Sequence, residues 1–113
     1  MNVASNAGLM GQAYMLPYVT SKHAVIGLTR TLALEFGRRD VRINAVCPGD
    51  TETPLLRQFI PPEGIDLDLI MRNSLLKERA QPEDIVSMIC FVASDEARFV
   101  NGAILSVDGG ATA

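Results

Sequence analysis

The chain contains no tryptophan, one histidine, two cysteines and only 5% aromatic residues. A lone histidine, His23, has no second imidazole with which to build a metal site, and it reads as a surface or interface residue rather than a base. Cys47 and Cys90 sit in the apolar contexts Ala-Val-Cys-Pro and Met-Ile-Cys-Phe, far apart and without a C-x-x-C pair. They predict two reduced core thiols, not a disulfide or a metal centre. Long hydrophobic runs are missing too: the apolar stretches 24–28 and 88–93 fall far short of the roughly 18 to 20 residues a bilayer span needs. The first basic residue is Lys22, so the start lacks the basic region of a secretory leader, and the expected compartment is the cytoplasm. Nor is there an excess of positive charge. Ten Lys and Arg against thirteen Asp and Glu leave a net charge of −3, which argues against nucleic acid as a partner. The small basic patch of Arg38, Arg39 and Arg42 reads as a solvated helix end.

What is present suits one small globular domain: 113 residues, 48% apolar and 20% charged. A chain of this size buries about two-thirds of its unfolded surface, which leaves no room for two cores. Residues 1–5 read as the tail of a strand that runs into a loop marked by Gly8 and Gly11. Residues 17–38 read as a helix, with Pro17 in its first turn and Val25, Leu28, Leu32 and Phe36 as its main apolar face. Ala24, Ile26, Ala33 and Leu34 lie elsewhere around that helix, and they predict a second apolar surface for a partner subunit to cover. Residues 41–46 alternate as a strand does and stop at Pro48-Gly49. The stretch 51–79, with Pro54, Pro61, Pro62 and Gly64, reads as an excursion with short helices, among them an amphipathic piece over 67–76. A helix over 83–94 follows, with Glu83 and Asp84 where the helix dipole favours acids and Ile85, Met88, Ile89 and Val92 as its buried stripe. Residues 103–107 form a last strand, closed by Asp108-Gly109-Gly110 as a turn. Strand, helix, strand, helices, strand predicts an α/β fold with right-handed crossovers and a parallel sheet, whose ligands bind beyond the carboxyl ends of the strands. Ser5 and Pro48-Gly49 fall there.

Tyr18 and Lys22 are four residues apart on one helical face, with Cβ atoms about 5 to 6 Å apart. A phenol titrates near 10, too high for easy proton exchange at neutral pH, and a neighbouring ammonium favours the phenolate. Ser5 could hold a substrate oxygen beside the Tyr18 hydroxyl. The three make a proton-transfer site for a carbonyl or alcohol.

Around that pair lies an ordered set of patterns. Ser5-x-x-Gly8 precedes Tyr18-Val19-Thr20-Ser21-Lys22. Arg42-Ile43-Asn44-Ala45-Val46-Cys47-Pro48-Gly49 follows, then Thr51 and Thr53, Pro82-Glu83-Asp84-Ile85, and Asn101-Gly102 through Val107-Asp108-Gly109-Gly110. Over nearly its whole length the chain resembles the carboxyl-terminal half of the short-chain dehydrogenase/reductase family. The resemblance implies a Rossmann-like, doubly wound parallel sheet of which residues 1–113 are the carboxyl-terminal half, and NAD or NADP as cofactor. It implies Tyr18 as the general acid/base, Lys22 as its electrostatic partner and a contact to the nicotinamide ribose, and Ser5 as the group that orients the substrate. Pro48 and Gly49 would bring backbone to the nicotinamide, while Thr51 and Thr53 would contact its carboxamide or phosphate side. The family's glycine-rich dinucleotide turn, its Asn-Asn-Ala-Gly segment and the asparagine that completes its catalytic tetrad do not occur here. The 113 residues alone are therefore expected to bind cofactor poorly and to be inactive. A homodimer or homotetramer is implied as well, through the 17–38 helix and the last strand.

Two other readings compete. One is a non-catalytic remnant that serves as an oligomerisation module, separated from the first by cofactor affinity. The other is a hydrolase with Ser5 as nucleophile and Lys22 as base, which a covalent serine probe would expose.

Overall fold

A computed structural model describes residues 1–66, 74–76 and 78–113. Three parallel strands, β1 (Asn2–Val3), β2 (Ala45–Pro48) and β3 (Ile104–Val107), lie in the order β1-β2-β3. Asn2 pairs with Ala45 and Val3 with Val46, while Ala45 through Pro48 run beside Ile104 through Val107. The central strand is accordingly the driest part of the molecule: Ala45, Val46 and Cys47 have no exposed surface. Helix α1 (Leu16–Phe36) connects β1 to β2 and packs on both, and α3 (Pro82–Ala93) packs on β2 and β3. The short α2 (Pro54–Arg57) opens the long connection between β2 and α3. This is the expected α/β architecture. Most of the amphipathic piece foreseen over 67–76 lies outside the described residues.

Strand β2 begins later than the alternation over 41–46 suggests. The cause lies in two asparagines. The Asn44 amide donates to the Val100 carbonyl at 2.8 Å and its Oδ1 accepts the Ala103 N–H at 2.9 Å. Asn101 returns the arrangement, accepting the Ile43 N–H at 2.8 Å and donating to the Ala33 carbonyl at 3.3 Å. These side-chain bonds take up the Ile43 N–H and the Asn44 amide while their carbonyls accept the Gly102 and Asn2 N–H groups at 2.8 and 2.9 Å, and residue-to-residue strand pairing starts at Ala45. Arg42 is not a solvated helix end either. Its guanidinium is half-buried and donates to the carbonyls of Val92, Ser94 and Ala97 at 2.8, 3.0 and 2.9 Å, closing the carboxyl end of α3.

The face that α1 turns inward differs from the one its largest residues suggest. Ile26, Thr29 and Ala33 are buried, whereas Leu28 is 52% and Leu34 83% exposed. Ile26 joins Ala4 and Cys47 in the core, with Val25 and Ile104 packed against them. Thr29 can sit there because its hydroxyl is used twice, donating to the Val25 carbonyl at 2.7 Å and accepting from the Asn2 amide at 2.9 Å. Of the second apolar surface expected for a partner, Ile26 and Ala33 thus belong to the core and Leu34 faces out. Helix α3 follows its expected stripe: Ile85 and Val92 are buried and Met88 and Ile89 half-buried. Cys47 is buried, but Cys90 is exposed on α3 and is not a core thiol.

Candidate active site

Ser5 stands just past β1 in extended backbone, and its hydroxyl oxygen accepts the Ala7 N–H at 3.2 Å, starting a single 3-10 turn over Asn6–Gly8. The Ser5 proton goes to Asn6 Oδ1 at 3.2 Å. That turn is seated hard on α1: a β-carbon on Gly8 would come within 2.8 Å of both Ile26 Cδ1 and the Lys22 carbonyl oxygen. Glycine at this position therefore sets how closely Ser5 approaches the helix that carries the tyrosine. Pro17 lies in the first turn of α1, where its missing N–H costs nothing. Tyr18 follows it, and one turn later Lys22 brings its ammonium to 5.5 Å from the Tyr18 ring centroid. The same ammonium lies 3.5 Å from the Val3 carbonyl at the end of β1.

Tyr18 and Ser5 border one cavity of about 810 Å³ beyond the carboxyl ends of β1 and β2. Pro48, Gly49, Thr51 and Thr53 border it too, so six of the seven residues singled out in the sequence meet there. Lys22 is not part of the wall, and its ammonium lies over the Tyr18 ring. The Thr51 hydroxyl donates to the Gly49 carbonyl at 3.0 Å, which stiffens the turn after β2. The Thr53 hydroxyl oxygen accepts the Leu56 N–H at 3.3 Å and caps α2. The rest of the wall is mostly apolar, with Leu55, Leu56, Phe59 and Ile60 after β2 and Ile85 and Val86 from α3. Tyr14 does not line this cavity and is 64% exposed. His23 is also exposed, its Nδ1 held 3.0 Å from the Val19 carbonyl within its own helix. No bond joins Ser5 to Lys22 among the described residues: the Ser5 hydroxyl donates to Asn6 Oδ1, and the Lys22 ammonium lies by the Val3 carbonyl.

Two polar groups of the cavity wall escape a reading of the sequence. The Asn6 Nδ2 and Asp50 Oδ2 atoms are buried without a hydrogen-bond partner among the described residues. Burial pushes the Asp50 carboxyl above the usual carboxylate range, against the pull of Arg79. Their only sequence signal is position, two to three residues beyond the ends of β1 and β2. Cys47, behind the site, has its thiol pushed up by burial, opposed by a hydrogen bond from the Ser5 backbone. Glu52, at the rim, is held below its usual range by its hydrogen bond to Arg57 at 2.6 Å.

The family model described as enoyl-(acyl carrier protein) reductase matches residues 1–112. The chain belongs to the short-chain dehydrogenase/reductase family. Among curated members, the meso-2,3-butanediol dehydrogenase of Serratia marcescens is 42% identical over 113 residues, which is all of this chain and 44% of that protein. Among solved structures, the 4-hydroxyisoleucine dehydrogenase complexed with NADH is 40% identical with a TM-score of 0.81, covering 98% of this chain and 44% of that one. ElxO with NADP bound is 36% identical with a TM-score of 0.82, over 98% and 45% of the two chains. The chain thus spans less than half the length of these short-chain dehydrogenases, and its parallel sheet and helices are part of their doubly wound Rossmann fold. Among the described residues, no helix is long and apolar enough to cross a membrane.

Proposed function

We propose that this chain carries the proton-transfer and nicotinamide-facing part of an NAD(P)-dependent oxidoreductase that interconverts an alcohol and a carbonyl. In this reading residues 1–113 are the carboxyl-terminal half of one Rossmann-like domain in a cytoplasmic homodimer or homotetramer. The observation that carries it is the meeting of Ser5 and Tyr18 at one cavity floored by Pro48-Gly49, with the Lys22 ammonium over the tyrosine ring.

The residues present fit one end of the cofactor. The unpartnered Asn6 amide, the exposed backbone after β2 and the Thr51 and Thr53 hydroxyls can receive a nicotinamide and its carboxamide. No lysine or arginine lines this cavity among the described residues, so the phosphates would have to find their partners elsewhere. When bound, the dinucleotide supplies or accepts the hydride. Everything else falls to side chains. In the reducing direction the Tyr18 hydroxyl gives its proton to the substrate oxygen, and in the oxidising direction the phenolate takes the proton back. Lys22 stabilises the negative charge that develops on the phenolic oxygen, across apolar surroundings that strengthen the attraction, and it reaches the nicotinamide ribose. Ser5 turns its hydroxyl from Asn6 to the substrate oxygen and fixes that oxygen beside Tyr18, a positioning that lowers the entropic part of the barrier. The mostly apolar wall lowers the local polarity beside the reacting oxygen. The meso-2,3-butanediol and 4-hydroxyisoleucine dehydrogenases among the similar proteins support this reaction class.

The test is Tyr18→Phe in the complete protein. It should lower turnover by about 10² to 10⁴, the usual contribution of a positioned proton donor, while NAD(P)H affinity stays within a few-fold. Turnover close to that of the parent would overturn the assignment.

A further inference from the structure

The turn that closes β3 touches the Pro48-Gly49 floor of the cavity on one side and, on the other, residues 74–76, which do not line the cavity but belong to the connection whose first part does. Asp108 is 7% exposed, and its carboxylate is folded back on its own turn. One oxygen accepts the Gly110 N–H at 3.0 Å and the other the Thr112 hydroxyl at 2.5 Å. On one side of the turn, the Gly49 N–H donates to the Val107 carbonyl at 3.0 Å. A β-carbon on Gly49 would lie 2.8 Å from both Cα and Cβ of Asp108, so the Pro48-Gly49 floor rests on Asp108 with no space between them.

On the other side, the Gly109 carbonyl accepts from the Ser74 hydroxyl at 3.2 Å and from the Leu75 and Leu76 N–H groups at 2.9 and 3.4 Å. Gly109 has a φ of +60°, and a β-carbon there would fall 1.8 Å from Ser74 Oγ. Residues 74–76 are the return limb of the excursion that follows β2. Its outgoing limb supplies Leu55, Leu56, Phe59 and Ile60 to the cavity, and its base is closed where Ala80 N–H meets the Asp50 carbonyl at 3.1 Å.

We propose that the 108–112 turn is a shared seat for the site, in which Asp108 is the positioning residue for the Pro48-Gly49 cofactor floor and Gly109 the contact that holds the substrate-side excursion. The assignment of floor and excursion to cofactor and substrate rests on the function proposed above. The two supports fall on consecutive residues but face different segments, so disturbing each should move a different constant. A displacement of the order of 1 Å is enough to cost a large factor in binding or rate.

The experiment uses the complete protein and its Asp108→Ala, Asp108→Asn, Thr112→Val and Gly109→Ala variants. It measures NAD(P)H affinity by fluorescence titration, KM and kcat for a secondary alcohol, and amide hydrogen exchange. Asp108→Ala should weaken NAD(P)H binding by about ten-fold and speed exchange at the Gly49 amide. Asp108→Asn should restore both, because its amide can accept from Gly110 and donate to the Thr112 oxygen. Gly109→Ala should raise KM for the alcohol by about ten-fold, speed exchange at Leu75, and leave NAD(P)H affinity within two-fold. If Asp108→Ala does not fold, Thr112→Val carries the cofactor arm, since it deletes one bond and leaves the Gly110 contact. Unchanged NAD(P)H affinity in that variant would then overturn the role of Asp108. Variants that lose thermal stability with both constants unchanged, or that shift both constants together, would overturn the divided seat. If the parent neither binds nucleotide nor turns over, the functional reading falls, and exchange at Gly49 and Leu75 still decides whether the turn holds the two segments separately.

Discussion

Arg42 gives a stability prediction that rests on hydrogen bonds between distant parts of the chain. Helix α3 ends at Ala93, and its last carbonyls have no intrahelical partner. The Arg42 guanidinium donates to the Val92 carbonyl in the last turn at 2.8 Å, to the Ser94 carbonyl at the cap at 3.0 Å and to the Ala97 carbonyl in the 3-10 turn that follows at 2.9 Å, with a longer contact of 3.5 Å to the Val100 carbonyl. A hydrogen bond contributes about 1 kcal/mol net and somewhat more when charged, and the positive charge also suits a helix carboxyl end. Three short bonds, with the long one discounted and some water readmitted to the freed carbonyls, give a loss of about 3 kcal/mol for Arg42→Ala. That is a large share of the 5 to 15 kcal/mol by which a typical domain is stable. In urea, monitored by circular dichroism at fixed protein concentration because assembly would shift the midpoint, the midpoint should fall by about 1 to 3 M. Arg42→Lys keeps the charge but not the fork, so it should recover less than half of the loss. A midpoint shift below about 0.3 M for Arg42→Ala would show that the bonds carry little, and the reasoning would fail.

Asp50→Asn should stabilise the protein near neutral pH. Burial raises the folded-state value of this carboxyl, so its contribution is fully present below the unfolded value of about 4 and is lost as pH rises through the folded value. The gain from the amide should therefore shrink as pH falls, and a gain that grows toward acid would refute it. Leu34→Asp, at a position 83% exposed, should shift sedimentation of the complete protein toward smaller species without loss of fold. Ile26→Ala, at a position 5% exposed, should cost about 2 to 4 kcal/mol whatever the state of assembly. The division of α1 into a core face and a partner face would be wrong if the first change left assembly intact and the second left stability unchanged.

The features legible in the sequence are those whose cause is local. Tyr18 and Lys22 share a face because helical spacing requires it, and Pro17 and Pro82 mark the starts of α1 and α3 because proline loses nothing there. The ends of β2 and β3, though not the start of β2, followed from Pro48-Gly49 and Asp108-Gly109-Gly110, turn chemistry that needs no distant partner. What stayed hidden depends on contacts far along the chain. Arg42 reads as one of three surface arginines until Val92, Ser94 and Ala97 are brought to it. Asn44 reads as an ordinary strand position until Val100 and Ala103 take its side chain and delay β2.

The inward face of α1 shows the same dependence. Hydrophobicity alone nominates Leu28 over Thr29, since a buried hydroxyl is costly unless both its roles are met. Thr29 meets them through Val25 on its own helix and Asn2 on β1, and only the first of these is local. Once those bonds exist, a small threonine at the contact lets the helix approach the strands as closely as Gly8 allows, and the larger leucines are turned outward. The closeness of that approach brings Ser5 to the cavity that Tyr18 borders. The placement of the candidate site therefore depends on a polar residue and a glycine in the core as much as on the residues of the site itself.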